Sequence, residues 1–273
     1  VTGVQTCALP IYFIFAIGII VANVPEGLLP TVTLALAMGT QRMARRNALI
    51  RHLPAVETLG STTVICTDKT GTLTQNRMRV KRLYFIDGEH EYDAARSPAD
   101  ESLRRRRLFD IARHCHALRE VVTPAGRQWR GDQMEVTLLE MAAAFPGETW
   151  PRTDEIAFDS DRKRFSTLHE TGAGTMLYCK GALETVLPLC SVVETRDGTR
   201  ALTPADREQL IAAETRFAQN GMRVLAFACR RLPVDAPRAL WESDLVLAGL
   251  AGLEDPVRPE VPEAVRACHG AGI

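Results

Sequence analysis

The chain has 273 residues, enough for one large or two ordinary domains. Lysine plus arginine number 33 and aspartate plus glutamate 33, so the formal net charge is zero and nothing in it points to nucleic acid as a partner. Seven cysteines are scattered without CxxC pairs, a pattern of reduced thiols in a cytosolic compartment rather than of a disulfide framework.

The first eleven residues, from Val1-Thr2-Gly3 to Leu9-Pro10-Ile11, have no initiating methionine and no signal-peptide n-region. They read as the conceptual translation of a common sequencing adapter joined in frame to a gene fragment, so the gene's own sequence is expected to begin at Tyr12. Residues 12–38 are almost free of charge and long enough to span a bilayer. Their acid, Glu26, sits in Val24-Pro25-Glu26-Gly27, where proline and glycine unwind a helix and free its carbonyl oxygens. The carbonyls of Val21, Ala22 and Val24 with the Glu26 carboxylate are hard oxygen ligands for a cation at mid-membrane. A buried soluble helix with a proline kink is the alternative. Length argues against it, and so does the cluster Arg42, Arg45, Arg46 and Arg51, which puts residues after about 40 on the cytoplasmic side.

A short β-type run at 62–66 then leads into Asp68-Lys69-Thr70-Gly71-Thr72-Leu73-Thr74. A carboxylate at a strand's carboxyl end lies where open α/β sheets keep their chemistry. Thr70, Thr72 and the Gly71 backbone offer donors to a phosphate, Lys69 neutralises charge, and Asp68 is placed to attack a γ-phosphoryl group. An ordinary surface turn has the same residue types, but seven contiguous matches speak for the phosphate reading.

From residue 80 short strands (80–86, 175–179) mix with helical stretches (101–118, 134–144), and turns such as Asp87-Gly88 and Asp197-Gly198 separate them. The Arg104 to Arg107 run reads as a solvated helix face. The pattern predicts an α+β domain over about 81–246 inserted into an α/β domain. His114-Cys115-His116 has no second ligand cluster to make it a metal site. An apolar β-type run at 245–253 enters Glu254-Asp255-Pro256-Val257-Arg258-Pro259, and 262–270 starts another helix.

The Asp68–Thr74 heptapeptide resembles the phosphorylation signature of P-type ATPases. Val21-Ala22-Asn23-Val24-Pro25-Glu26-Gly27-Leu28-Leu29 is similar to the fourth transmembrane helix of the type II members. It looks closest to the sodium/potassium and proton/potassium branch, because calcium pumps usually carry Ala-Ile where this chain has Asn23-Val24. The resemblance implies one broken transmembrane helix and stalk (12–57), a partial haloacid-dehalogenase-like phosphorylation domain (58–80 with 247–273) and an inserted nucleotide-binding domain (81–246).

Further motifs follow in the family's order. Glu135, in Gly131-Asp132-Gln133-Met134-Glu135, would approach an adenine, and Phe158 would stack on it. Lys163 matches a cationic contact, Lys180-Gly181-Ala182 the Lys-Gly-Ala signature at the rear of the pocket, and Arg223 a bridge toward the phosphates. Asp255 and Arg258 would stiffen the return crossing and help position ATP. Leu183 replaces the usual proline, and Ser160 stands where calcium pumps place an arginine.

The implied ligands are ATP and Mg²⁺, the latter on Asp68 and the Thr70 carbonyl. The implied activity is ATP-driven transport of a monovalent or divalent cation through an aspartyl phosphate, in the lipid bilayer of a prokaryotic plasma membrane. Na⁺, K⁺, Ca²⁺ and the proton all remain open. The family's Thr-Gly-Asp, Gly-Asp-Gly-x-Asn-Asp and Thr-Gly-Glu segments do not occur here, so the resemblance implies that the rest of the pump polypeptide is missing and that this piece alone does not turn over. Two rivals are a soluble phosphohydrolase of the haloacid-dehalogenase-like fold and a non-catalytic, membrane-tethered nucleotide-binding module. Those phosphohydrolases keep a second aspartate where this chain has Thr70, and intact Asp68 and Lys180 speak against the non-catalytic module.

Overall fold

The computed structural model describes residues 3–22, 27–96, 106–124, 126–233 and 235–273. They fall into two bodies, Val1–Thr67 with Pro262–Ile273, and Asp68–Val261. The first holds α1 (Gly3–Ala22), α2 (Leu28–Ala44) and α3 (Pro54–Gly60). The apolar stretch at 12–38 is therefore divided between two helices, and Val24 and Glu26 lie outside the described residues. Among the described residues no helix is long and apolar enough to cross a membrane. The sequence places the break of this stretch at Val24–Gly27, and α1 and α2 lie on either side of it. The 17 residues of α2 rise only about 26 Å, short of the roughly 30 Å of a hydrocarbon core, and its last turn carries Arg42. Phe13, Ile14, Phe15, Leu28 and Leu29 are nonetheless exposed.

A correction concerns 62–66, which form no strand. Threonine, valine and isoleucine favour a pleated surface, but a strand exists only where a neighbour takes its backbone hydrogen bonds. Among the described residues none pairs with this segment.

The second body alternates β1 (Arg79–Phe85), β2 (Gly88–Glu91), α4 (Arg107–His114), β3 (Arg119–Thr123), β4 (Gly126–Arg130), α5 (Gln133–Ala143), β5 (Arg152–Asp159), β6 (Arg164–Thr171) and β7 (Gly174–Gly181). It continues with α6 (Leu183–Val186), β8 (Cys190–Thr195), β9 (Gly198–Ala201), α7 (Pro204–Gln219), β10 (Arg223–Arg231) and β11 (Leu245–Glu254). After it comes α8 (Val261–Gly270). Among the described residues nine strands form one sheet along β2-β1-β11-β10-β7-β6-β5, with β8 and β9 attached beside β11. Every pairing is antiparallel except β8 with β11. The fold is thus mixed α/β around an antiparallel sheet, and that sheet runs from Arg79 to Glu254, past both ends of the expected 81–246 insertion.

The continuous apolar run of β11 is explained by burial on both faces. Ala248, Ala251 and Leu253 meet the core under α4 and α5, with Phe109, Ile111, Leu138 and Met141. Leu245, Leu247 and Leu250 meet the opposite core under α6 and α7, with Leu183, Leu210 and Phe217. The described cysteines are free thiols, and Cys115, Cys179, Cys190 and Cys229 are buried in these layers.

The helical stretch expected at 101–118 is shorter in the structure. Its residues 101–105 lie outside the described set, and α4 begins at Arg107, whose amide donates to both carboxylate oxygens of Glu194 on β8 at 3.2 and 3.4 Å. Burial pushes the Glu194 carboxyl from the ordinary 4.5 up to about 7, while the Arg107 guanidinium and amide pull it back. A carboxyl raised in this way holds its proton more readily in the folded state, so stability falls as pH rises from 4.5 to about 7. Glu194→Gln is expected to flatten that slope. Thermal unfolding should show the variant gaining on the parent between about pH 5 and about pH 8; a parallel pair of pH curves would refute the assignment.

Candidate functional site

Asp132 starts α5 as its N-cap, accepting from the amides of Met134 (2.8 Å) and Glu135 (3.4 Å). That cap fixes the first turn and the direction of the Glu135 side chain. One Glu135 oxygen accepts from the Lys180 ammonium at 2.7 Å, and the other from the Ala117 amide at 2.9 Å. Lys180 comes from the interior strand β7, between Phe165 of β6 and Phe227 of β10, and is only 7% exposed. Two expected site residues thus meet as a nearly buried ion pair.

The segment just after α4 supplies a wall that the sequence reading missed. The Cys115 thiol donates to the Phe165 and Tyr178 carbonyls (3.3 and 3.4 Å), and burial pushes it up to about 11. The His116 ring stands edge-on to Trp129 at 5.5 Å between centroids. Burial and then the Lys180 ammonium lower its pKa, against the pull of Glu135. His114 is engaged elsewhere, with Nδ1 on the Asp110 carbonyl (2.8 Å) and Nε2 on the Trp150 amide (3.0 Å). Among the described residues no three ligating side chains gather for a metal, and the His-Cys-His run divides among three environments. The signal was present in the sequence as the only His-Cys-His run, but nothing local tied it to Lys180.

The β5–β6 connection carries Phe158, 66% exposed, and Lys163, whose backbone adopts φ 49°. The Lys163 ammonium meets Glu184 at 3.2 Å in an exposed pair. Gly181 is required at the end of β7, since a Cβ there would sit 2.5 Å from the Lys163 carbonyl oxygen and from Arg164 Cβ. Arg223, exposed at the start of β10, places its guanidinium 3.5 Å from Met134 Sδ, next to Glu135 in sequence. The structure therefore joins Glu135 with Lys180, Gly181 with Lys163, and Arg223 with the first turn of α5.

The Asp68 loop is built separately. Asp68 is exposed with extended backbone (φ −72°, ψ 146°), followed by Thr70 (φ −76°, ψ 121°) and Gly71 (φ 79°, ψ −15°). Those are the dihedrals of a type II β-turn, which calls for glycine at its third position. Thr74, 2% exposed, ties the loop to the return crossing: its hydroxyl donates to Asp255 Oδ2 at 2.5 Å. Asp255 Oδ1 accepts from the Arg77 amide at 3.1 Å. The Arg258 guanidinium donates to the carbonyls of Gly71 and Thr74, both at 3.0 Å. Asp255 and Arg258 therefore act on the loop from both sides, and Thr74, which the sequence reading gave no role, is their common partner. A cleft of about 990 Å³ beside this crossing, lined by Gln75, Arg77, Met78, Thr137, Met141 and Pro256 among others, includes none of the expected ligand residues. Val21 and Ala22 form the end of α1.

The family description "P-type ATPase, cytoplasmic domain N" matches residues 108–260. The chain is 39% identical to a calcium-transporting ATPase of Listeria monocytogenes, over 96% of the chain and 30% of that protein. It is 38% identical to the sodium/potassium-transporting ATPase subunit alpha-2 of Gallus gallus, over 95% of the chain and 28% of the relative. It is 37% identical to the cation-transporting ATPase pma1 of Synechocystis, over 94% and 31%. The chain thus spans about 30% of the length of the curated relatives it matches, and calcium and sodium/potassium relatives match it almost equally. The ordered motifs, the antiparallel sheet and these matches agree: the chain belongs to the P-type ATPases and contains their cytoplasmic domain N.

Proposed function

We propose that residues 68–261 bind ATP and pass its terminal phosphoryl group to Asp68, as the chemical part of a pump that moves a cation across a membrane. The observation that carries the nucleotide half is the nearly buried Lys180–Glu135 pair. A buried pair costs desolvation and is weak evidence for stability alone. With Lys180 in the same sheet as the exposed Phe158 and Glu135 on α5, it has the chemistry of a nucleobase site: a flat face, a carboxylate edge and a cation behind. Lys163 and Arg223 add positive charge for the phosphates.

In the proposed transfer an oxygen of Asp68 attacks the γ-phosphorus, the bond from that phosphorus to the bridging oxygen breaks, and ADP leaves with the electron pair. Water later attacks the acyl phosphate and returns the Asp68 carboxylate and inorganic phosphate. Lys69 offsets charge, while the Thr72 hydroxyl offers a donor; the Gly71 amide is spent inside the loop on Thr74 Oγ1 at 3.2 Å. The exposed Asp68 carboxylate and Thr70 carbonyl are hard oxygen donors of the kind that suit Mg²⁺, which when bound would neutralise phosphate charge. Thr70 brings no carboxylate to speed hydrolysis, which favours a lasting phosphoenzyme over a phosphohydrolase. The clasp of Asp255 and Arg258 supports a fixed loop angle.

The whole-protein reading assigns 12–57 to a broken transmembrane helix and stalk, made of α1, α2 and α3. It assigns 58–80 with 247–273 to part of the phosphorylation domain, and 81–246 to the nucleotide domain. Val21, Ala22, Val24 and Glu26 would hold the transported cation, with residues after about 40 on the cytoplasmic side of a prokaryotic plasma membrane. The exposed apolar side chains of α1 and α2 support this, and the relatives' printed names support a cation that is either monovalent or divalent.

Phe158→Ala tests the base site without disturbing the core, because the ring is mostly exposed. Calorimetry on the chain should show ATP binding weakened by about tenfold with an unchanged unfolding midpoint, as expected when one stacking aromatic is lost. Equal affinity in parent and variant would remove Phe158 from the site.

A further inference from the structure

The turn that carries Lys163 holds three consecutive cations, Arg162, Lys163 and Arg164, and the fold treats them differently. Glu242, in the connection between β10 and β11, accepts from Arg162 Nη2 at 2.5 Å, Arg164 Nε at 2.9 Å and Ser166 Oγ at 2.7 Å. Burial opposes its charge, but the Ser166 and Arg164 hydrogen bonds outweigh this and hold the carboxyl below its ordinary value. One carboxylate 76 to 80 residues away in sequence thus binds both neighbours of Lys163 and the strand beyond them.

Lys163 itself keeps left-handed backbone, which a lysine adopts only where its surroundings impose it. Its amide donates to the Asp159 carbonyl (2.7 Å), and its carbonyl accepts from the Ala182 amide (3.0 Å). Its ammonium has only the exposed Glu184 pair among the described residues, a contact worth little and easily exchanged. Arg162 and Arg164 are committed to a partly buried acid, and Lys163 is the cation left to switch partners.

We propose that Glu242 is a positioning residue: by holding Arg162, Arg164 and Ser166 it fixes the β5–β6 turn so that the Lys163 ammonium leaves Glu184 for the phosphates of a bound nucleotide. This rests on the nucleotide reading above and adds the residue that acts through Lys163 without touching the ligand.

The test is a double-mutant cycle on the 273-residue chain, with ATP affinity measured by calorimetry and folding by far-UV circular dichroism. Glu242→Gln and Lys163→Ala are each expected to weaken ATP by about tenfold, the loss of one charge-assisted contact. Together they should be no weaker than Lys163→Ala alone. A structural role would instead let the Glu242→Gln loss persist in full on the Lys163→Ala background. That result, or parent-like affinity in Glu242→Gln, overturns the proposal. Should Glu242→Gln fail to fold, Arg162→Gln, which removes one arm of the clamp, is combined with Lys163→Ala and read the same way. A parent chain that binds no ATP overturns the nucleotide reading and the proposal with it. Binding without coupling overturns the proposal alone.

Discussion

Lys180→Ala is expected to abolish measurable ATP binding and to remove roughly 3–5 kcal/mol of stability at once. The 2.7 Å pair with Glu135 lies between sheet and helix, with little water to replace a lost partner. Taking away the ammonium leaves the Glu135 carboxylate with the Ala117 amide as its remaining partner, which does not offset a stranded charge. Urea unfolding would register the stability loss as a lower midpoint. The double variant Lys180→Met with Glu135→Gln separates the two effects, because no charge is then stranded. It should regain most of the midpoint and none of the binding. Undiminished ATP affinity in Lys180→Ala would sink the pocket assignment, whatever the stability did.

On the proposed transfer, Asp68→Asn made in the full-length protein is expected to reduce acid-stable phosphoenzyme by roughly a thousandfold or more, as loss of a nucleophile does. The amide has the carboxylate's shape but no anionic oxygen to attack phosphorus. The Thr74–Asp255–Arg258 clasp holds the loop without the Asp68 carboxyl, so the loop should keep its form. Radiolabel from γ-labelled ATP that persists in the variant would mean another residue is the acceptor.

Much of the second body was legible because its elements carry their own periodicity. Strands β1, β7 and β11 and helix α5 fall within a residue or two of where alternation and helical spacing place them. What was not legible depended on distant partners. The start of α4 is set by Glu194, 87 residues later, and no local pattern announces it. The 62–66 run has strand chemistry and no strand beside it. Of the residues proposed for the site, Glu135, Lys180, Asp255 and Arg258 each lie in a short motif that the sequence displays. The parts played by Ala117, His116 and Thr74 were not legible, since they arise from contacts across 13 to 181 residues. Glu242 belongs with them, an ordinary acid by sequence and a threefold acceptor by geometry.

The strands on which the polypeptide comes into the sheet and goes out of it are hydrogen-bonded neighbours, with Arg79 opposite Glu254. Backbones so paired are about 5 Å apart, so the 174 residues enclosed form a closed loop with a single doorway. Such a module can be lifted from one host and grafted into another without stretching either. It can also be given new ends, since a few residues would splice the old ones together. Recombination at that doorway is thus a physically cheap route for exchanging this domain while leaving the rest of the chain untouched.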